Sequence, residues 1–167
     1  IQVLMHDTIQ GRYPYASVTD AMRNLLFIKQ QENEPLLDYA KRFKQARDVL
    51  KSHIGTKILE EFVETTREYK EEDDTEEQQK LKKESFGRWS AYMLLKSSDQ
   101  GKFGSLVNGM VTQYSMGNNQ FPKNVQKAVD IMSNHKYDNQ KENRKKYQEM
   151  KAKEEDNKVK KESSFAQ

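Results

Sequence analysis

The chain has 167 residues, of which 34% are hydrophobic and 33% are charged, and its formal net charge is only +3. This length favours one domain of ordinary size, although Leu, Ile, Val and Phe make up only 33 of the 167 residues, a low share for a folded chain. The absence of cysteine excludes a disulfide framework, a thiolate zinc site and a cysteine nucleophile. No apolar stretch approaches the roughly 18 residues of a membrane span, so we expect no membrane partner and a cytoplasmic location.

Apolar residues are distributed unevenly along the chain. Residues 137–167 contain only two of the 33 large apolar residues, Val159 and Phe165, together with nine basic and seven acidic residues. Such a segment cannot bury enough surface to offset its ordering entropy. We therefore predict a folded domain at 17–136 and a charged tail at 137–167, either helical or disordered.

The first half of the folded region predicts three helices. Ser17 is a candidate N-cap for the first helix, and Pro35 suits the first turn of the second, because its missing N–H has no helical partner there. Gly55 is expected to end the second helix and Thr56 to cap the third. The residues spaced to face the core are Val18, Ala21, Met22, Leu25 and Leu26, then Leu36, Tyr39, Ala40, Phe43, Ala46 and Leu50, and in the third helix Ile58, Leu59, Phe62, Val63 and Tyr69.

The second half predicts three more helices after an acidic insertion at about 64–84. The segment 60–84 carries eleven acidic and five basic residues. A fourth helix is predicted at about 81–96, a fifth around 103–114, and a sixth after Asn124 as N-cap. The expected inward residues are Phe86, Trp89, Tyr92, Met93 and Leu95, then Phe103, Leu106, Val107, Met110, Val111 and Tyr114, and finally Val125, Ala128, Val129 and Met132. Because alternating strand patterns are nearly absent, the sequence predicts an all-α fold.

Motifs of catalysis and of ligand binding are missing from the sequence. No P-loop, dinucleotide-binding or nucleophile-elbow motif occurs, and His6, His53 and His135 share no metal-binding spacing. The acidic run at 71–77 lacks the glycine and the spaced ligands of a calcium loop. We therefore predict that the chain is not an enzyme and takes no cofactor, metal or small-molecule substrate.

The most specific pattern is IKQQENEPLLDYAKRF at residues 28–43, in which Gln30, Glu34 and Arg42 follow the spacing Gln-x3-Glu-x7-Arg. The residues interleaved with these three are Pro35, Asp38, Tyr39 and Phe43. The pattern resembles the major homology region of retroviral and LTR-retrotransposon Gag capsid proteins. The flanking DAMRNLLFIKQ and KQARDVLKSHIG resemble the same family, and the stretch at 101–136 does so more weakly.

The resemblance implies a helical bundle like the C-terminal domain of retroviral capsids, with extra helices. It implies that Gln30, Glu34 and Arg42 form a buried hydrogen-bond network with a structural role. The motif residues implied to lie in the core are Leu37, Tyr39 and Phe43. Residues 1–16 are then a linker or the end of an N-terminal capsid domain. From position alone, we expect Glu34 at the helix N-cap, where a carboxylate faces unpaired N–H groups.

The resemblance further implies a structural Gag capsid subunit that self-assembles, as a homodimer and in higher assemblies, into a shell that packages element RNA. We expect a symmetric interface on the third helix and the Trp89 helix, which carry large apolar residues beside polar faces. Its candidate residues are Ile58, Leu59, Phe62, Val63, Trp89 and Met93. Weak, nonspecific and salt-sensitive RNA contact is expected from Arg144, Lys145, Lys146, Lys160 and Lys161.

Two other functions remain open at this stage. One is a dimerising adaptor of capsid ancestry, similar to the SCAN-type domains of transcription factors, which pairs proteins without building a shell. The other is a small helical RNA-binding protein, whose affinity would fall steeply with salt and would be lost on deletion of the tail. The aromatic residues of 89–92 and 103–114 are candidates for stacking bases. At helical spacing, with Leu and Met between them, these aromatic residues are more typical of a core or a protein interface.

Overall fold

The structure, a computed structural model, describes residues 13–135 and 140–165. The described residues form eight helices and no strand, which confirms the predicted all-α class for this part of the chain. The helices are α1 (Pro14–Phe27), α2 (Leu36–Ile54), α3 (Glu60–Glu64), α4 (Arg67–Glu71), α5 (Thr75–Lys96), α6 (Gln100–Ser115), α7 (Val125–Asn134) and α8 (Gln140–Phe165). The chain divides into two units, Ile1–His135 and Lys136–Gln167, so α1–α7 belong to the first unit and α8 to the second.

Helix α1 begins at a proline and α2 begins directly after one, and neither start is at the predicted position. Helix α1 begins at Pro14, whose fixed φ and missing N–H suit a first helical position. The predicted Ser17 cap is therefore wrong, since Ser17 lies inside α1. Pro35 occupies the N-cap of α2 instead of its first turn. Gly55 ends α2 as predicted, at a φ of 70° that favours glycine.

The predicted third helix is divided into two five-residue helices, α3 and α4. The N-cap of α3 is Leu59, so the predicted cap at Thr56 is wrong. A new cap separates the two helices, because the N–H of Tyr69 donates to Thr66 Oγ1 at 3.3 Å. Each short helix packs few side chains against its neighbours, and Val63 is the one buried residue of α3 and α4.

Helix α5 begins earlier than predicted, at Thr75 and not near Leu81. The N–H of Glu76 donates to Asp74 Oδ1 at 2.9 Å, and Glu76 and Glu77 occupy the first turn, where carboxylates are favourable. Part of the predicted acidic insertion therefore caps and begins a helix. Asn124 caps α7 as predicted, since the N–H of Lys127 donates to its Oδ1 at 2.9 Å.

The core of the first unit lies around the second half of α5. Helix α5 contacts α2, α3, α6 and α7, and α2 also contacts α1 and α7. The Tyr39 hydroxyl donates to the carbonyl of Leu94 at 2.7 Å and ties α2 to α5; burial raises the pKa of this phenol. The core residues are Ala21, Leu25, Tyr39, Ala40, Phe43, Leu50, Ala91, Met93, Leu94, Leu95, Phe103, Val107, Met110, Val125, Ala128, Val129 and Met132.

Some residues predicted to lie in the core are exposed. They are Leu26, Leu37, Ile58, Phe62, Tyr92, Val111 and Tyr114. Leu37 is 69% exposed, because it precedes the buried Tyr39 by two positions and therefore lies on the opposite side of α2. The prediction that Leu37 belongs to the motif core is wrong, whereas Tyr39 and Phe43 are fully buried.

The second unit is described over α8, a 26-residue helix rich in Lys and Glu. Met150, Val159 and Phe165 are exposed on it. The described part of this segment is therefore helical, one of the two forms predicted for the tail. Among the described residues of the chain, no helix is long and apolar enough to cross a membrane.

Candidate functional site

The loop between α1 and α2 and the first turns of α2 bring Gln30, Glu34 and Arg42 together. Arg42 donates from Nε to Glu34 Oε2 at 2.6 Å and from Nη2 to Glu34 Oε1 at 2.7 Å. The same Nη2 atom donates to the Lys29 carbonyl at 2.9 Å, and Gln30 Nε2 donates to the Glu34 carbonyl at 3.0 Å. We name these three residues the Gln30 network. The bidentate ion pair between Arg42 and the Glu34 carboxylate fixes the loop against α2.

Gln30 connects this network to the turn between α5 and α6. Its backbone N–H donates to the Ser97 carbonyl at 2.9 Å, and its Oε1 accepts the N–H of Asp99 at 2.9 Å. Because Gln30 is buried, water does not readily replace these bonds when they are lost. The motif residues therefore join three parts of the first unit: the loop, α2 and the α5–α6 turn.

The charges of the network stabilise each other. The hydrogen bonds from Arg42, followed by the N–H of Gln31 at 3.2 Å, hold the pKa of Glu34 below its ordinary value, and Glu34 in turn raises the pKa of Arg42. The Glu34 side chain is 12% exposed and that of Arg42 is 40% exposed. The network is therefore only partly buried, which corrects the implied full burial.

The predicted N-cap role of Glu34 is also wrong. Pro35 holds the N-cap position of α2 and makes no side-chain cap bond. The Glu34 carboxylate instead accepts the N–H of Gln31 and the two Arg42 donors. Glu34 thus closes the loop and anchors Arg42, and it does not satisfy the first turn of α2.

A groove with a volume of about 550 Å³ lies between α3, α4 and α5, with Tyr114 contributed by α6. We name it the Trp89 groove. Its apolar lining comprises Leu59, Phe62, Val63, Leu81, Trp89 and Tyr92 in addition to Tyr114. Phe62 is 62% exposed, so a large aromatic side chain stands in water at the groove wall. An apolar surface of this kind with polar edges is typical of a protein contact.

Ring contacts hold the aromatic walls of the groove in place. Trp89 packs edge-to-face on Phe86, with 5.9 Å between ring centroids, and Phe86 is buried. Tyr92 and Tyr114 each contact the Phe121 ring, at 5.8 Å and 6.2 Å. Such geometries favour aromatic pairs beyond the area that they bury. The groove is therefore formed in the free chain, which lowers the ordering cost of a docking partner.

Ion pairs join the two short helices to α5 along the groove edge. Arg88 Nη2 lies 3.2 Å from Glu68 Oε2, and Lys82 pairs with Glu64. The Lys82 ammonium also lies 5.5 Å from the centroid of the Tyr69 ring, and the Glu64 carboxylate raises the pKa of Lys82. Exposed pairs of this kind contribute little stability one by one, but together they fix α3 and α4 over α5.

Comparisons with protein-family models, with curated proteins and with solved structures found no match to this chain. The interpretation of the site therefore depends on its own geometry. In the described part of the chain, no group of three or more Asp, Glu or His side chains is placed to hold a metal ion.

The predicted interface residues are partly brought together by the structure. Leu59, Phe62, Val63 and Trp89 line the Trp89 groove. Ile58 is exposed next to it in sequence but is not part of the lining. The prediction that Met93 lies at the interface is wrong, because Met93 belongs to the core. At that level α5 is enclosed by neighbouring helices, and the residues from Met93 to Leu95 are all buried.

The predicted RNA contacts fall on α8. The side chains of Arg144, Lys145 and Lys146 lie outside the described residues. Lys160 and Lys161 are exposed. The described part of α8 therefore presents at least these two ammonium groups to solvent.

Sequence reasoning missed several parts of both features. Tyr114, Leu81 and Arg88 line the groove, yet Tyr114 was expected in the core and the others had no assigned role. The position of Tyr114 at the end of the apolar stripe of α6 was the one sequence feature that could have indicated its place in the groove. The Lys29 and Ser97 carbonyls complete the Gln30 network through the backbone, which no side-chain pattern reveals.

Proposed function

We propose that this chain is a structural subunit of the Gag capsid type, from an LTR retrotransposon, whose copies self-assemble into a shell that packages element RNA. The Gln30 network carries this proposal. Residues eight positions apart on a helix are separated by about 12 Å along its axis, so the spacing alone does not bring Glu34 and Arg42 together. Their 2.6 Å contact matches the role that the sequence resemblance implies for them.

The Trp89 groove supports self-assembly as the work of the subunit. Its wall exposes aromatic and aliphatic side chains to solvent, which is typical of a site that binds another protein. The neighbouring segment 60–77 has ten acidic and only two basic residues. This charge repels a phosphate backbone, so the groove favours a protein partner over stacked RNA bases.

RNA would be bound by the basic residues of α8 and not by the groove. Lys160 and Lys161 are exposed there, but Glu and Asp residues alternate with the lysines of this helix. Because affinity for RNA depends on several phosphate contacts acting together, binding by one copy should be weak. Many copies assembled on one RNA would add their contacts.

Light scattering and negative-stain electron microscopy of the purified chain, with and without single-stranded RNA, test the proposal. The expected result is closed or sheet-like particles that increase with concentration. Phe62→Asp should reduce assembly, since it places a carboxylate in the apolar groove wall. Val49→Asp is the matched control, because Val49 is 51% exposed and does not line the groove.

The same experiment separates the two other functions. Discrete dimers that never grow into particles would contradict a shell and indicate a dimerising adaptor. Monomers that bind RNA, with an affinity that falls steeply as salt rises, would contradict it and indicate a small RNA-binding protein.

A further inference from the structure

A second exposed apolar surface lies at the C-terminal end of α1, apart from the Trp89 groove. Phe27 is 70% exposed and Leu26 is also exposed. We name these two residues the Phe27 patch. Helix α1 contributes no lining residue to the groove, so each copy of the chain presents both surfaces at once.

The Phe27 patch is basic. Arg23 and Lys29 flank it, and no acidic residue occurs between positions 21 and 31. The Arg23 guanidinium carbon lies 6.0 Å from the centroid of the Phe27 ring, so a cation is held beside the exposed aromatic side chain. Neither Arg23 nor Lys29 has a carboxylate partner among the described residues.

The surroundings of the groove have the opposite charge. The two cations of the lining, Arg67 and Arg88, are paired with Glu71 and Glu68. Glu60 and Glu61 directly precede Phe62 on α3 and have no cationic partner in the described part of the chain. The segment 60–77 has a net charge of −8, from ten acidic and two basic residues. The groove is therefore an apolar recess beside free carboxylates, and the Phe27 patch is an apolar projection beside free cations.

We propose that the Phe27 patch of one copy docks in the Trp89 groove of a second copy. This inference rests on the proposed function and names the contact by which copies assemble. A contact between two different surfaces repeats from copy to copy and closes into rings or extends without limit. The alternative, a two-fold contact of groove with groove, would place the acidic α3 segments of two copies near each other, which like charges disfavour.

Complementation between two variants tests this contact. Phe27→Asp removes the patch and keeps the groove, whereas Phe62→Asp removes a groove wall and keeps the patch. Both replaced side chains are mostly exposed, so both variants should fold, and circular dichroism with thermal melting checks this. Val49→Asp makes a similar change on α2, outside both surfaces.

Sedimentation velocity of the whole chain is the measurement. Each variant alone should associate at least tenfold more weakly than the unchanged chain, and Val49→Asp should associate normally. An equimolar mixture of Phe27→Asp and Phe62→Asp has one intact patch and one intact groove. It should therefore form a complex of two chains, twice the 19.7 kDa of one chain, and nothing larger.

Three results would overturn the proposal. If Phe27→Asp still forms dimers while Phe62→Asp does not, the groove pairs with itself. If the mixture stays monomeric, or if both variants assemble normally, neither surface contacts the other. In these cases the unchanged chain still assembles, so self-assembly stands and the surface assigned to it is wrong. A monomeric unchanged chain would instead contradict both.

Discussion

Replacing Arg42 with alanine removes the centre of the Gln30 network. The change breaks both hydrogen bonds to Glu34 and the bond to the Lys29 carbonyl. Among the described residues, Glu34 then keeps the N–H of Gln31 at 3.2 Å as the donor to its carboxylate. The variant therefore holds a nearly buried carboxylate that has lost its cation, and its free energy of unfolding should fall.

The size of this loss follows from the exposure of the pair. Removing one partner of a fully buried ion pair costs about 3–5 kcal/mol, whereas a fully exposed pair contributes about 0–1 kcal/mol. Glu34 is 12% exposed and Arg42 is 40% exposed, so water screens one side of the pair. We expect a loss of about 2 kcal/mol, in the range for hydrogen bonds to charged groups. In a chain of this length, that lowers Tm by about 4–8 °C.

Urea denaturation followed by Trp89 fluorescence measures the loss. Trp89 is the only tryptophan of the chain and lies in the first unit, as the network does. Arg47→Ala is the control, because Arg47 pairs with its exposed neighbour Asp48 at 3.0 Å and should lose less than about 1 kcal/mol. A double-mutant cycle with Glu34→Ala should give a coupling energy above about 0.5 kcal/mol.

The structural role of Arg42 would be refuted by an Arg42→Ala variant as stable as Arg47→Ala. It would also be refuted if the effects of Glu34→Ala and Arg42→Ala simply added, since residues in one hydrogen-bond network should be coupled.

Three further predictions concern the same unit. Gly87→Ala should destabilise by about 1–3 kcal/mol, because a Cβ there would lie 2.9 Å from the Lys123 carbonyl oxygen. A Cβ at Gly109 meets nothing within 4 Å, so Gly109→Ala should stabilise its helix by about 0.5–1 kcal/mol. Equal effects of the two variants in thermal melts would contradict the close approach of α5 to the chain just before α7. Gln30→Ala should cost about 1–3 kcal/mol in urea denaturation, because it leaves buried partners without hydrogen bonds, and a neutral effect would contradict the link to Asp99. The pKa of Glu34 is lowered from an ordinary 4.5. The stability that Arg42 adds is therefore complete above that pH and is lost as the pH falls through the lower pKa of the folded state. If the difference in free energy of unfolding between Arg42→Ala and the unchanged chain stays constant down to strong acid, this link is excluded.

Helical periodicity predicted most of the core correctly. Both α2 and α7 repeat their apolar positions over two turns or more. The buried residues at these positions include Tyr39, Phe43 and Leu50 of α2 and Val129 and Met132 of α7. Periodicity did not include Leu37 in the buried face of α2. Its predicted place in the core came from the family resemblance and is wrong, since Leu37 lies on the opposite side of α2 from Tyr39. A single apolar residue does not define a face.

Helix boundaries were harder to predict than helix faces. Asp74 caps α5 with its own side chain, but it is one of several acids in a row and nothing in the run distinguishes it. Pro14 begins α1 although Ser17 is the better cap by residue type. The positions at which these helices begin depend on tertiary packing, that is, on where the chain joins the folded unit.

The Gln30 network and the Trp89 groove differ in how far the sequence reveals them. The side chains of the network follow a motif, so Gln30, Glu34 and Arg42 could be predicted, but their backbone partners could not. The groove depends on how the short helices α3 and α4 lie on α5, which is a tertiary property. Tyr114 reaches it from α6, far away in sequence.

Sedimentation velocity of the unchanged chain over a wide concentration series measures self-assembly itself. The weight-average mass should rise with concentration beyond two chains, and Phe62→Asp should suppress this rise while Val49→Asp should not. A single species of 19.7 kDa at every concentration, with or without RNA, would contradict self-assembly.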